Sequence, residues 1–452
     1  MSADLVKNLQ SGRLWSTNDS EAINMISNAF DMELMRLKRV PASIEQAVNG
    51  SRTTVNGGQS SPSQQLYGHD YDEVNRTLTS FLCLKWIVAG DYRKFTSGQS
   101  PQIRLSFSTF QRLQKLVRQT LDSVEDHLAL ITAIVVNDLG KDPQLPLEIE
   151  RVTSKSAQGQ NHDLVLYEAV QADMVPCVCE LPQAQRDALV VGLKMGTRLN
   201  LGQLAQAENV PGSLDVMLEL RDHKHAFELK FLEQFLDVAG AAGHIDSSCS
   251  KSMTEPVCEA FLTVHKVLSD ILEGRSTLRQ GYDEVLTQRA AIVHATGYRD
   301  LDVRNEEDRA LLRLMAMGRT STKQQAEWFE DAFNTLQHDT RTELVRGLNV
   351  DGHEDGKAIL PYYMPALLQA ALRNTFDDVA AVKTKALASL MRFLVRILDG
   401  TYPHPGSPGT VVEHDLEFAK KTISGPEFKL DPAVLDDLEL TKAGTQSRSL
   451  SI

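Results

Sequence analysis

The segment "NDLGKD", residues 137–142, sets Asn137, Asp138 and Asp142 at the end of the apolar run "ITAIVV". Carboxylate and amide oxygens suit a hard divalent cation. Mg²⁺ in particular is often held by one or two carboxylates together with substrate phosphates. On a helix, Asp138 and Asp142 would lie one turn apart on a shared face. Gly140 and Pro143 instead signal a helix that is ending, which would aim the acids at a cavity mouth. Acids at a helix C-terminus oppose the macrodipole, so a compensating positive charge is expected. The competing reading gives Asp138 a salt bridge and makes Asp142 the cap of the turn before Pro143.

Three further groups of residues stand out. Asn161, His162 and Asp163 precede the apolar stretch "LVLYEAV". Asn161 or Asp163 there is also a good N-cap, and the stretch itself reads equally as strand or helix. His244 and Asp246 follow a Gly/Ala-rich helix end, where a weak metal pair competes with ordinary turn chemistry. In "VCEAFLTVHKVLSDILEG", Val257, Phe261, Val264, Leu268 and Ile271 form an apolar stripe. Leu262 and Lys266 stand one turn apart on another face. Lys266 is either a salt-bridge partner of Asp270 or a point charge for a diphosphate. Glycine-rich phosphate loops, nucleophile elbows and HExxH are missing from the sequence.

Positioning such groups falls to helices. Apolar residues recur at three-and-four spacing in 110–136, 214–240, 257–274, 308–318 and 382–400, and several of these runs end on Gly240, Gly274, Gly318 or Gly400. The predicted fold is all-α, with one compact helical domain over 1–452 and peripheral N- and C-terminal pieces. Residues 47–69 are expected to be a mobile loop and 440–452 a flexible tail. Of 452 residues, 42% are hydrophobic and 24% charged, and the net charge is −13, which disfavours a nucleic-acid partner. Five scattered cysteines point to reduced thiols and away from a structural zinc. The N-terminus carries no targeting signal, and apolar stretches such as "LALITAIVV" are too short to span a bilayer. A cytoplasmic protein without membrane insertion is expected.

Two families resemble parts of this pattern. "VVNDLGKDP" resembles the HD-domain phosphohydrolases and oxygenases, with Asn137 standing where that family has a metal-binding histidine. Imidazole suits a transition metal better than an amide does. The size, the helical body and the Asn137, Asp138, Asp142 cluster resemble the noncanonical fungal humulene synthases, class I terpene cyclases of tropolone sesquiterpenoid biosynthesis. That resemblance implies a helical bundle, two Mg²⁺ ions, and farnesyl diphosphate as the substrate, cyclised to an eleven-membered ring. It also implies metal ligands among Asn137, Asp138 and Asp142, helped by Asn161 and Asp163. Lys266 would be the lysine that meets the diphosphate, one turn after the product-shaping Leu262, with Lys230 and Lys251 as alternatives. Aromatics such as Trp86, Phe110, Trp328 and Tyr362 can line a hydrocarbon pocket or simply pack in the core. The hydrolase, a helical scaffold without catalysis, and a homodimeric state remain open at this level.

Overall fold

The computed structural model describes residues 3–42, 60–353, 355–375, 379–400, 402–403, 409–440 and 448–449. These residues are mostly helical with few strands. The expected loop at 47–69 and tail at 440–452 fall largely outside the described residues. Within the first, Pro62–Tyr67 is a helix, because Ser61 caps the Gln64 N–H and proline occupies the first turn. Among the described residues no helix is long and apolar enough to cross a membrane. The chain forms two compact units. Unit 1 comprises Met1–Thr197 with Asp222–Leu262, and unit 2 comprises Arg198–Arg221 with Thr263–Ile452. Their boundary at 262/263 falls inside the helix Glu255–Leu272, so no Gly/Pro-rich linker marks it in the sequence.

Unit 1 is built around the helix Lys224–Gly240, on which the helices Asp72–Ala89, Val124–Val136 and Gln183–Gly196 pack. Phe227, Phe231 and Phe235 recur at four-residue spacing on that helix and are fully buried. Their burial against apolar neighbours contributes roughly 1.5–3 kcal/mol each. Gly240 ends the helix, yet a Cβ there would overlap the backbone and hydroxyl of Ser80. Its role is close approach to the Asp72–Ala89 helix. The periodic run 110–136 forms two helices, Phe107–Thr120 and Val124–Val136, because Ser123 accepts from the Asp126 N–H and starts a new one. The run 214–240 is likewise broken at the turn before Lys224. "HDLVLYEAV" is helical, within His162–Gln171.

Unit 2 buries every residue from Arg309 to Met317 of the helix Glu306–Met317. The helices Lys323–Thr335 and His338–Asn349 pack on Ala380–Leu398. It also holds a sheet that helical periodicity gave no sign of. Gly356–Tyr362 pairs in parallel with Thr410–Asp415, from Lys357↔Thr410 to Tyr362↔Asp415. Two short antiparallel segments, Tyr402–Pro403 and Arg448–Ser449, flank this pair. A parallel pair needs a long crossover, and the helices Met364–Arg373 and Ala380–Leu398 provide it. Val210, Val350, Ala358, Leu360 and Val411 close a small core on this sheet, with Tyr362 against it.

Buried charge in unit 2 is satisfied largely by backbone. The Arg313 guanidinium donates to the carbonyls of Ala207, Leu348, Glu208 and Asn209. The Glu208 carboxylate accepts from the Tyr363 N–H, where Tyr363 takes the left-handed conformation at φ 79° before a helix start. Burial, aided by nearby Glu413, pushes the Glu208 carboxyl up to about 8.

Candidate active site

The apolar helix before "NDLGKD" ends at Val136, with Asn137 as its C-cap. Leu139–Lys141 then form a single 3₁₀ turn between Asp138 and Asp142. Gly140 sits where this turn meets the start of the His162–Gln171 helix, and a Cβ there would overlap the His162 carbonyl. Only glycine permits that approach. It brings the turn beside His162 and Asp163 although twenty residues separate them in sequence.

The turn separates the two acids. Asp142, with a fully buried side chain, is gripped by Arg36 and Arg39, both from the segment that includes the helix Asp31–Leu37. Its Oδ1 also accepts from the Gln144 N–H at 3.1 Å. Asp138 instead pairs with the Lys141 ammonium at 2.9 Å. The same ammonium lies 3.4 Å from Glu73 Oε2. Glu73 Oε1 accepts from Arg76 at 3.2 Å, and the Arg76 Nε donates to His244 Nδ1 at 3.1 Å. Asn161 is an N-cap, accepting from the Asp163 N–H at 2.8 Å. Asp246 accepts from the N–H and hydroxyl of Ser248, as a turn residue does.

The Lys224–Gly240 helix completes the cluster. Lys230, Glu233 and Asp237 lie at i, i+3 and i+7 on one face. Lys230 and Glu233 are buried and form an ion pair. Room for the lysine stem comes from two glycines one turn apart on the Gln183–Gly196 helix. A Cβ at Gly192 would lie 3.2 Å from Lys230 Cβ, and one at Gly196 would lie 3.1 Å from its Nζ. Glu233 Oε1 is buried without a hydrogen-bond partner among the described residues, a costly state for a carboxylate oxygen.

The resulting electrostatics are uneven. Burial drives Asp138 up, but Lys141 and the hydrogen bond from Glu73 outweigh it, so Asp138 stays ionised with a lowered pKa. Burial and the Asp138 charge raise Glu73. Burial, with repulsion from Asp138 and Glu233, pushes Asp237 up to about 8, so it carries a proton at neutral pH. Asp237 keeps some exposed surface, unlike Glu233. Lys141 and Lys230 are raised, since the carboxylates around them overcome the burial that would lower them. Carboxylates driven apart in pKa within one cluster are a common sign of acid–base machinery.

Of the residues singled out from sequence, Asp138 lies in this cluster, and Asp163 adds its charge to the surroundings of Lys230 and Glu233. Lys230, an alternative for the diphosphate lysine, is there too. Lys266 is exposed on unit 2 and pairs with Asp270 at 3.2 Å and Glu284 at 3.8 Å. Leu262 is half-buried. Glu73, Glu233 and Asp237 escaped sequence reasoning. For Glu233 and Asp237 a signal existed: with Lys230 they stand at i, i+3 and i+7 among the phenylalanines of the Lys224–Gly240 helix, whereas Glu73, on the helix Asp72–Ala89, had none.

The donors of this set are oxygens, the ligand type that Mg²⁺ takes. Among the described residues, Glu73, Asp138, Glu233 and Asp237 face Lys141 and Lys230, with Arg76 and His162 at the edge, and burial together with the neighbouring carboxylates holds Asp237 protonated. Among the described residues no group of three or more His, Cys, Asp or Glu is disposed as a metal cage. An ion held by one or two carboxylates and substrate phosphates needs none. Glu73 and Asp138 are the residues that would hold it.

The model of a family of unknown function, DUF6829, matches residues 23–435. No curated protein and no solved structure matches the chain.

Proposed function

The chain belongs to the DUF6829 family, and from that premise we propose that it is a Mg²⁺-dependent sesquiterpene cyclase acting on farnesyl diphosphate at the buried cluster of unit 1. One observation carries the reading: an oxygen-rich set of carboxylates, short of positive charge, sits beside the buried Lys230 and the partly buried Lys141 in a helical body. Such a set suits a diphosphate and its counter-ion better than it suits the nitrogen-ligated metal of a hydrolase. When bound, Mg²⁺ would supply positive charge to the diphosphate oxygens.

The chain's own residues do the rest. Lys141 and Lys230 stabilise the negative charge that grows on the leaving group, in a site where burial strengthens each interaction. Asp237, protonated at neutral pH, hands its proton to a leaving diphosphate oxygen. The carbon–oxygen bond breaks with its electron pair going to the diphosphate. The distal double bond then closes on the allylic cation, and loss of a proton gives humulene. Lys141 and Lys230 take the role that the resemblance assigned to Lys266.

A second reading has one observation in its favour. His162 lies close enough to Asp138 to lower its pKa, and a His–Asp pair is what a metal phosphohydrolase would use. Incubation with farnesyl diphosphate and Mg²⁺ followed by headspace analysis separates the two. Hydrocarbon lost in Asp138→Ala supports the cyclase. Folded protein that makes no hydrocarbon but releases phosphate with a retained transition metal supports the hydrolase.

A further inference from the structure

We propose that unit 2 carries a separate site for a phosphate-bearing small molecule, in a cavity lined by Arg221, Arg275 and Arg279 beside the start of the Leu278–His294 helix. The cavity has a volume of about 940 Å³ and lies wholly within this unit. That is the size of a small-molecule pocket. Three arginines line it in a chain whose net charge is −13.

The acids on its wall are already engaged. Asp355 accepts from the N–H groups of Asp351 and Gly352 at 2.8 and 2.9 Å. Asp351 accepts from Arg279 Nη1 at 2.7 Å. Carboxylates pin the arginines in turn: Arg279 Nε donates to Asp283 at 2.8 Å, and Arg275 meets Asp270 at 2.6 Å and pairs with Glu273 through Nη1. Each guanidinium has five N–H donors in a fixed fork, so these contacts orient the forks without exhausting them. Arg221 is exposed and makes no hydrogen bond or ion pair among the described residues. Behind Asp351 lies Arg309, 1% exposed, whose Nη2 stands 3.9 Å from Asp351 Oδ1 and has no hydrogen-bond partner among the described residues. That spare buried donor adds positive potential to the same wall.

The helix end adds backbone donors. Thr277 and Gln280 form a capping box that satisfies each other's N–H. The N–H groups of Leu278 and Arg279, at the start of a 17-residue helix, are the ones that anions usually meet. Leu218 and Leu278 give the lining an apolar part, which suits the organic portion of a phosphate ester.

The test is calorimetric titration of the full chain with inorganic pyrophosphate, in EDTA so that Mg²⁺-dependent binding at unit 1 does not contribute. The wild type should bind saturably. Arg221→Glu, an exposed change that leaves folding intact, should weaken binding tenfold or more, and Arg221→Ala with Arg275→Ala should do the same. Arg304→Ala, which removes an exposed arginine outside the cavity, should bind as the wild type does. Absence of saturable binding, or equal affinity in Arg221→Glu and wild type, overturns the proposal.

Discussion

The Asp138 carboxylate and the Lys141 ammonium lie 2.9 Å apart within one 3₁₀ turn, and this pair places an ionised acid inside unit 1. Lys141 reaches Glu73 from the same position, so the positive charge expected at an acidic helix end is supplied three residues further along the chain. Removing Lys141 strands the buried Asp138 carboxylate, which typically costs about 3–5 kcal/mol.

Asp138 and Asp142 should therefore behave differently when changed. Asp138→Asn keeps the shape of the side chain and should cut hydrocarbon formation from farnesyl diphosphate by about a hundredfold or more, as loss of a key electrostatic group does. Headspace product measured at saturating Mg²⁺ checks it. Undiminished product in this variant would remove Asp138 from the reaction.

Asp142→Ala should be a stability variant. Its carboxylate is fully buried and accepts from Arg36 and Arg39, which are themselves partly exposed, so its loss should cost about 1.5–3 kcal/mol. The protein that stays folded should keep its turnover per folded molecule. Denaturant unfolding alongside product assays distinguishes this from a direct role.

The two candidate lysines can be separated in the same assay. Lys230→Met removes a buried charge beside Glu233 and should abolish turnover. Lys266→Ala breaks exposed pairs with Asp270 and Glu284, so it should cost less than about 1 kcal/mol and retain product. The reverse pattern would return the leaving-group charge to Lys266.

Glu208 sets a pH dependence of stability in unit 2. Its carboxyl is raised to about 8 in the folded protein, against about 4.3 in an unfolded chain. Between those values the folded state binds the extra proton, so stability falls as pH rises, by at most about 1.4 kcal/mol per pH unit. The contribution is complete below the lower value and lost above the upper one. Glu208→Gln, which still accepts from the Tyr363 N–H, should be more stable than wild type at pH 9 and close to it at pH 4. Urea unfolding at the two pH values reads this directly.

Gly140→Ala should destabilise by about 1–3 kcal/mol or more, because the new Cβ meets the backbone carbonyl of His162 and a backbone cannot turn aside. Thermal unfolding measures the loss. An unchanged Tm would show that the turn approaches the His162 helix less closely.

Much of this protein follows from its sequence alone, because helices are decided by neighbours three and four residues apart. The helical character, the helix start at Asn161, the apolar stripe of Phe261, Val264, Leu268 and Ile271, and the end of a helix at "NDLGKD" are all local facts, and local spacing displays them. Tertiary structure alone decided which acid meets which cation. Asp138 and Asp142 look equivalent in sequence, yet one faces Lys141 and Glu73 and the other faces Arg36 and Arg39. The parallel pairing of Gly356–Tyr362 with Thr410–Asp415 was hidden for a related reason, since its partners are some fifty residues apart. A buried charge cluster drawn from residues 73, 138, 141, 230, 233 and 237 has no period for a sequence to show. Its members are joined by packing, where water is excluded and each charge must find its partner across the core.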